Sequence, residues 1–175
     1  GFGLGYSEFQ LSGAEVSLQG TRVCVKAKAE NTGAYAGREV MQVYVSAPCG
    51  ELDKPVKELA AFAKTGELQP GESQELQAEF DLCSCASYSQ AQEAYLLEQG
   101  AYVISISNGQ QLQSAAVIRL DGPAVVRKAK NLLGECGFED AVLNTANAVP
   151  EGLPQLNLSA ADIACVETDY TCWYK

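Results

Sequence analysis

The stretch from Lys54 to Phe80, KPVKELAAFAKTGELQPGESQELQAEF, limits the fold more than any other part of the chain. Pro70-Gly71 forces a turn, because proline fixes φ and glycine accepts positive φ. Beyond it, Leu76, Ala78, Phe80 and Leu82 alternate with polar residues. That period of two marks a strand with one buried face. Before it, KELAAFAK is ambiguous: Lys, Glu, Leu and Ala all favour helix, but Pro55 and Gly66 bound the segment closely.

The flanking segments repeat the pattern. Phe9 and Leu11 predict an edge strand, with Val16 and Leu18 as a second short stretch closed by Gly20. Val23, Val25, Ala27 and Ala29 share one face of the next strand, with Cys24 on the opposite, lysine-bearing face. Asn31-Thr32-Gly33 ends it with turn residues. Met41, Val43 and Val45 line the inner face of a strand over 39–46. Val40 and Tyr44 on its other face predict cover on both sides. A loop over 83–91, a brief strand at 95–97, and Tyr102, Ile104 and Ile106 on one face follow. Asn108-Gly109 is a strong hairpin signal, and its return strand runs through Val117 to Leu120. About seven short strands without intervening helices predict an antiparallel β-sandwich.

After Leu120 the pattern changes. Pro123, the apolar stripe Val125, Ala129, Leu132 and Leu133, and the stop at Gly134 predict a short helix. A second short helix is expected over 139–147, and a turn over 159–163. The last residues hold Leu153, Leu156, Leu158, Ile163, Val166, Tyr170, Trp173 and Tyr174. That is too much apolar surface for a free linker, yet it lacks the alternation of another sandwich strand. The expectation is that this tail docks on the outer face carrying Val40 and Tyr44.

Chemistry is sparse. The chain has 175 residues, 47% of them hydrophobic, a net charge of −10 and no histidine. The commonest general base is therefore missing, as is any Ser-His or Cys-His pair. The charge is spread, with no basic stripe to neutralise phosphates, so neither nucleic acid nor an anionic membrane is an expected partner. No apolar run approaches the length of a membrane helix. Seven cysteines (Cys24, Cys49, Cys83, Cys85, Cys136, Cys165 and Cys172) are odd in number and irregularly spaced. Cys83-Ser84-Cys85 is too close for the usual zinc pair. Free thiols and a cytoplasmic setting are the expectation, with no metal, no cofactor and no catalytic residue assigned.

The ordered motifs Phe2-Gly3-x-Gly5-Tyr6-Ser7-x-Phe9, Glu30-Asn31-Thr32-Gly33, Ala36-Gly37-Arg38-Glu39-Val40 and Gln42-Val43-Tyr44-Val45 lead further. Lys54-Pro55-Val56-Lys57-Glu58-Leu59-x-x-Phe62, Leu68-x-Pro70-Gly71-Glu72-Ser73 and Glu98-x-Gly100-x-Tyr102 continue the series. Together they resemble the fibronectin type III-like domain of glycoside hydrolase family 3 enzymes, mostly β-glucosidases. The resemblance implies an all-β, immunoglobulin-like sandwich and makes KELAAF a strand. It also implies that the catalytic carboxylates lie on other domains, a barrel and an α/β sandwich, which become the expected partners. Glycoside substrate would reach this domain only at its edge.

The implied organisation is a linker over residues 1–8, the sandwich over 9–120, and a C-terminal extension with a short helix over 121–175. An extension of that length resembles the permuted order, in which the barrel follows the sandwich. The function expected is a non-catalytic structural accessory domain. The alternative is a carbohydrate-binding or protein-interaction module using Tyr35, Tyr88 and Tyr95 as its exposed loop aromatics, since recognition of sugars by stacking needs flat exposed rings.

Overall fold

The computed structural model describes residues 5–132 and 148–167. Two sheets face each other across one core. β1 (Phe9–Gln19), β2 (Arg22–Asn31) and β5 (Ser73–Asp81) form a three-stranded sheet in the order β1-β2-β5. Opposite it lie β3 (Val40–Ser46), β4 (Glu58–Lys64), β8 (Gly100–Ser107), β9 (Leu112–Leu120) and β11 (Gln155–Leu158), in the order β11-β9-β8-β3-β4. A smaller four-stranded sheet joins β6 (Ser87–Ser89), β7 (Ala94–Leu97), β10 (Ala124–Lys128) and β12 (Val166–Glu167).

The alternation read in the sequence sets the layers. Val23, Val25, Ala27 and Ala29 of β2 and Leu76, Ala78 and Phe80 of β5 point inward, against Met41, Val43 and Val45 of β3 and Tyr102, Ile104 and Ile106 of β8. Each of these side chains is buried. KELAAF is a strand within β4, antiparallel to β3. Pairing with β3 overrides the helix propensity of its residues.

Several expectations change. Residues 9–19 form one strand rather than two. A bulge between Ser12 and Glu15 shifts the register, and Gly13 there has φ +62°. The 83–91 loop contains a 3-10 turn (Leu82–Cys85) and the short strand β6. Asn108-Gly109 is not a two-residue hairpin turn: Ser107 pairs with Leu112, leaving a four-residue connection. Asn108 Oδ1 accepts the amides of Gln110 and Gln111 within it.

The largest correction concerns the extension. The helix expected over 123–134 is a strand through Lys128, antiparallel to β7. Two β-branched valines meet an open strand edge, and the edge wins over the apolar stripe. The described tail is not laid on the Val40–Tyr44 face. Residues 155–158 instead extend the five-stranded sheet as β11, parallel to β9, and bury Leu158. The turn expected over 159–163 is a 3-10 turn at Ala160–Asp162, the short helical piece of the extension, and Ile163 after it enters the core. The helix expected over 139–147, and Tyr170, Trp173 and Tyr174, lie outside the described residues.

Candidate functional site: two ends and an outer face

The motifs fall into two knots at opposite ends of the sandwich, joined by β3. At one end Asn31, fully buried, is the hub. Its Nδ2 donates to Tyr35 O at 2.8 Å and to Leu68 O at 2.9 Å, and its Oδ1 accepts Gly33 N at 3.0 Å. Its backbone bonds Glu72 O and Gly71 N. Ser7 Oγ reaches Tyr35 O and Ala36 O, tying the entering chain to the same knot. Glu72 N bonds back to Gln69 O across Pro70-Gly71, and Gly71 has φ +81°, as a type II turn requires.

At the other end Glu98 gathers the loop between β3 and β4. Its carboxylate accepts Glu51 N at 2.7 Å and pairs with Lys54 Nζ, which also donates to Leu52 O at 3.0 Å. Tyr102 Oη donates to Glu98 O at 2.8 Å. Burial holds the Lys54 ammonium below its usual pKa, opposed by the neighbouring Asp53 carboxylate. Burial also drives the Tyr102 phenol upward.

These groups are arranged for structure. Among the described residues no three Cys, Asp, Glu or His side chains converge as a metal site. Burial, reinforced by Asp81, pushes the Cys83 thiol up to about 11, and burial with Glu58 does the same for Cys85. Both are therefore protonated near neutrality and poor nucleophiles. No disulfide joins the five described cysteines, Cys24, Cys49, Cys83, Cys85 and Cys165.

The three candidate tyrosines separate. Tyr88 and Tyr95 pack on each other at 5.2 Å between ring centroids, tilted by 58°. Tyr88 Oη donates to Ala129 O at 3.0 Å, and the Arg127 guanidinium lies 4.4 Å from the Tyr95 ring centroid. Both rings are therefore occupied by the extension. Tyr35 remains exposed, while its backbone carbonyl accepts Asn31 Nδ2 and Ser7 Oγ.

Sequence reading missed the contrast between the two outer faces. The three-stranded sheet shows solvent Glu15, Arg22, Lys26, Lys28, Glu75 and Glu79, with Arg22 and Glu79 paired at 3.2 Å. The outer face at the β3–β4 edge is apolar: Leu59 is 50% exposed and Phe62 68%. Phe62 stands opposite Gln42, and Leu59 opposite Tyr44, whose ring carries the Lys57 ammonium at 5.4 Å from its centroid. The signal was the double-sided apolar character of β3, but KELAAF gave no face assignment until its register was known.

An antiparallel sandwich with these turn knots defines the class, and comparison with known proteins agrees. Residues 39–110 match the model of the fibronectin type III-like domain. A β-glucosidase of Ruminococcus albus is 33% identical over 139 residues, covering 76% of this chain and 15% of that protein. One from Kluyveromyces marxianus is 34% identical, over 61% of this chain and 13% of its own. Among solved structures, a Paenibacillus barengoltzii β-glucosidase superposes with a TM-score of 0.68 at 33% identity, covering 74% of this chain and 16% of that one. β-Glucosidase 3B of Thermotoga neapolitana, in complex with α-D-glucose, gives 0.63 at 36% identity over 70% and 17%. The chain thus spans less than a fifth of each of these relatives. It carries the fibronectin type III-like domain of glycoside hydrolase family 3 enzymes. No helix among the described residues is long and apolar enough to cross a membrane.

Proposed function

We propose that this chain is a non-catalytic structural domain of a β-glucosidase-type glycoside hydrolase, and that its β3–β4 outer face buttresses the catalytic barrel and α/β sandwich domains. The observation carrying this reading is the asymmetry of the two outer faces. A charged sheet face is at home in water, while exposed Leu59 and Phe62 on the outer side of β4 mark a surface suited to a partner. The relatives' greater length supports a partner within the same polypeptide. Residues 1–8 then act as the linker from a preceding domain and 9–120 as the sandwich. Residues 121–175 form an extension clasped to it by β10 and β11 that leads toward a barrel in the permuted order. The cytoplasmic setting belongs to the same reading and rests on the odd cysteine count.

The test is co-purification of this chain with the separately produced catalytic portion of the enzyme. Phe62→Asp should weaken association at least about tenfold, since it buries a charge in an apolar contact. Glu75→Lys on the opposite face should leave it unchanged. Equal binding by wild type and Phe62→Asp overturns the docking face. Turnover of an aryl β-glucoside by the purified chain alone overturns the non-catalytic assignment.

A further inference from the structure

An open cleft of about 570 Å³ lies where the entering segment at Tyr6 and Ser7 meets the start of β3 and the β8–β9 connection. Its polar groups are unevenly employed. Asn108 is committed to the fold: its Nδ2 donates to Phe9 O and its Oδ1 serves the turn amides. Glu39 is half-buried and uses Oε1 to accept Val40 N at 2.7 Å, leaving Oε2 without a partner among the described residues. Gln42 spends Oε1 on Tyr44 Oη at 2.7 Å, which orients its amide and leaves Nε2 unused. Arg38, exposed on the same cleft, makes no ion pair among the described residues. At the rim the Tyr6 ring is 94% exposed.

The cleft therefore offers an acceptor on Glu39, an oriented donor on Gln42, the exposed guanidinium of Arg38 and a flat ring, with Phe9, Ala36 and Val40 adding apolar wall between them. A purely apolar ligand would leave the Glu39, Gln42 and Arg38 groups unmatched, and a simple anion would face the carboxylate. A pyranose fits both halves: its hydroxyls both donate and accept, and its C–H face stacks on an aromatic ring. Gln42 also stands beside Phe62 on the apolar face, so the cleft opens at the border of the proposed docking surface. Ligand sites favour such borders between domains.

We propose that the Tyr6–Arg38–Glu39–Gln42 cleft is a saccharide-binding subsite, taking a neutral β-linked glucoside. The saccharide class rests on the glycoside-hydrolase reading above, while the cleft itself stands on its own geometry.

The test is an NMR titration of the 175-residue chain with cellobiose, with glucose and sodium acetate as separate probes. Cellobiose should give saturable millimolar shifts confined to Tyr6, Arg38, Glu39, Gln42 and Gln110, and acetate should not. Gln42→Ala and Arg38→Ala should each weaken the response at least fivefold while the remaining spectrum keeps its wild-type dispersion, which separates lost binding from lost folding. The titration uses this chain alone and the docking test its association with the catalytic portion, so failure of the docking face and failure of the cleft are read separately. A response to acetate but not cellobiose, shifts centred on Tyr35 instead, or no saturable shift would each overturn the subsite.

Discussion

Lys54 and Glu98 form an ion pair within the sandwich end, with only 8% and 15% of their side chains exposed. Two motifs separated by more than forty residues in sequence meet in this one contact. Removing either partner leaves a charge without its counterpart in a place water hardly reaches. Lys54→Met should therefore cost about 3–5 kcal/mol, the range for breaking a buried pair from one side. The double change Lys54→Met with Glu98→Leu should recover part of that loss. Chemical denaturation of the single and double variants measures both, and a single variant as stable as wild type would show the pair to be ornamental to the fold.

Asn31 predicts a comparable loss without any charge. Asn31→Leu keeps the volume but strips the partners from Tyr35 O, Leu68 O and Gly33 N. At about 1–3 kcal/mol for a buried group left unpaired, the loss should be visible as a lower denaturation midpoint. Asn31→Asp should also destabilise, because a carboxylate cannot donate to the two carbonyls.

Gly71 and Gly109 hold φ values of +81° and +87°, and at neither would a Cβ meet an atom within 4 Å. The cost of Gly71→Val is thus backbone strain rather than clash, about 1–3 kcal/mol. Gly109→Val should behave likewise. Unchanged midpoints in both would contradict the turn geometry.

Acid should release the extension at Asp121. Its carboxylate accepts Ala160 N at 2.7 Å and Ser159 Oγ at 2.9 Å, and these bonds, the backbone one foremost, hold its pKa below the usual carboxylate value. A depressed folded pKa gives stability that is present above the unfolded value near 4 and fades as pH falls through the lower folded value. The protection factor of the Ala160 amide, its exchange rate taken relative to the intrinsic rate at each pH, should fall over that acid range and hold steady between pH 5 and 8. Asp121→Asn should remove the pH dependence.

The sandwich core was legible because its cause is local: inward residues at every second position and turn residues between. Val23 to Ala29 and Tyr102 to Ile106 could be assigned to the interior without knowing their partners. The extension resisted the same treatment. Val125 and Val126 favour a strand only because the β7 edge is free to receive them, and Gln155 to Leu158 is too short to show a period. The outer-face asymmetry was hidden for a related reason. A bulge between Val43 and Tyr44 offsets β4 against β3, so which of its side chains stand outside depends on a register that no turn motif announces. Glu39, Gln42 and Arg38 carried no signal as a cleft, since only the fold brings the entering chain and the β8–β9 connection beside them.

The parallel pairing of β11 with β9 fixes an order of assembly. Gln155 must return to Val117 after an excursion of more than thirty residues, and a parallel partner cannot be reached by a hairpin. On a ribosome, the strands through β9 can find one another before β11 has emerged. During that interval β9 is an open edge, with Val117 N waiting for Pro154 O. The nascent domain is then most exposed to sticking edge-to-edge to another chain, and synthesis slowed between residues 121 and 154 would lengthen the hazard.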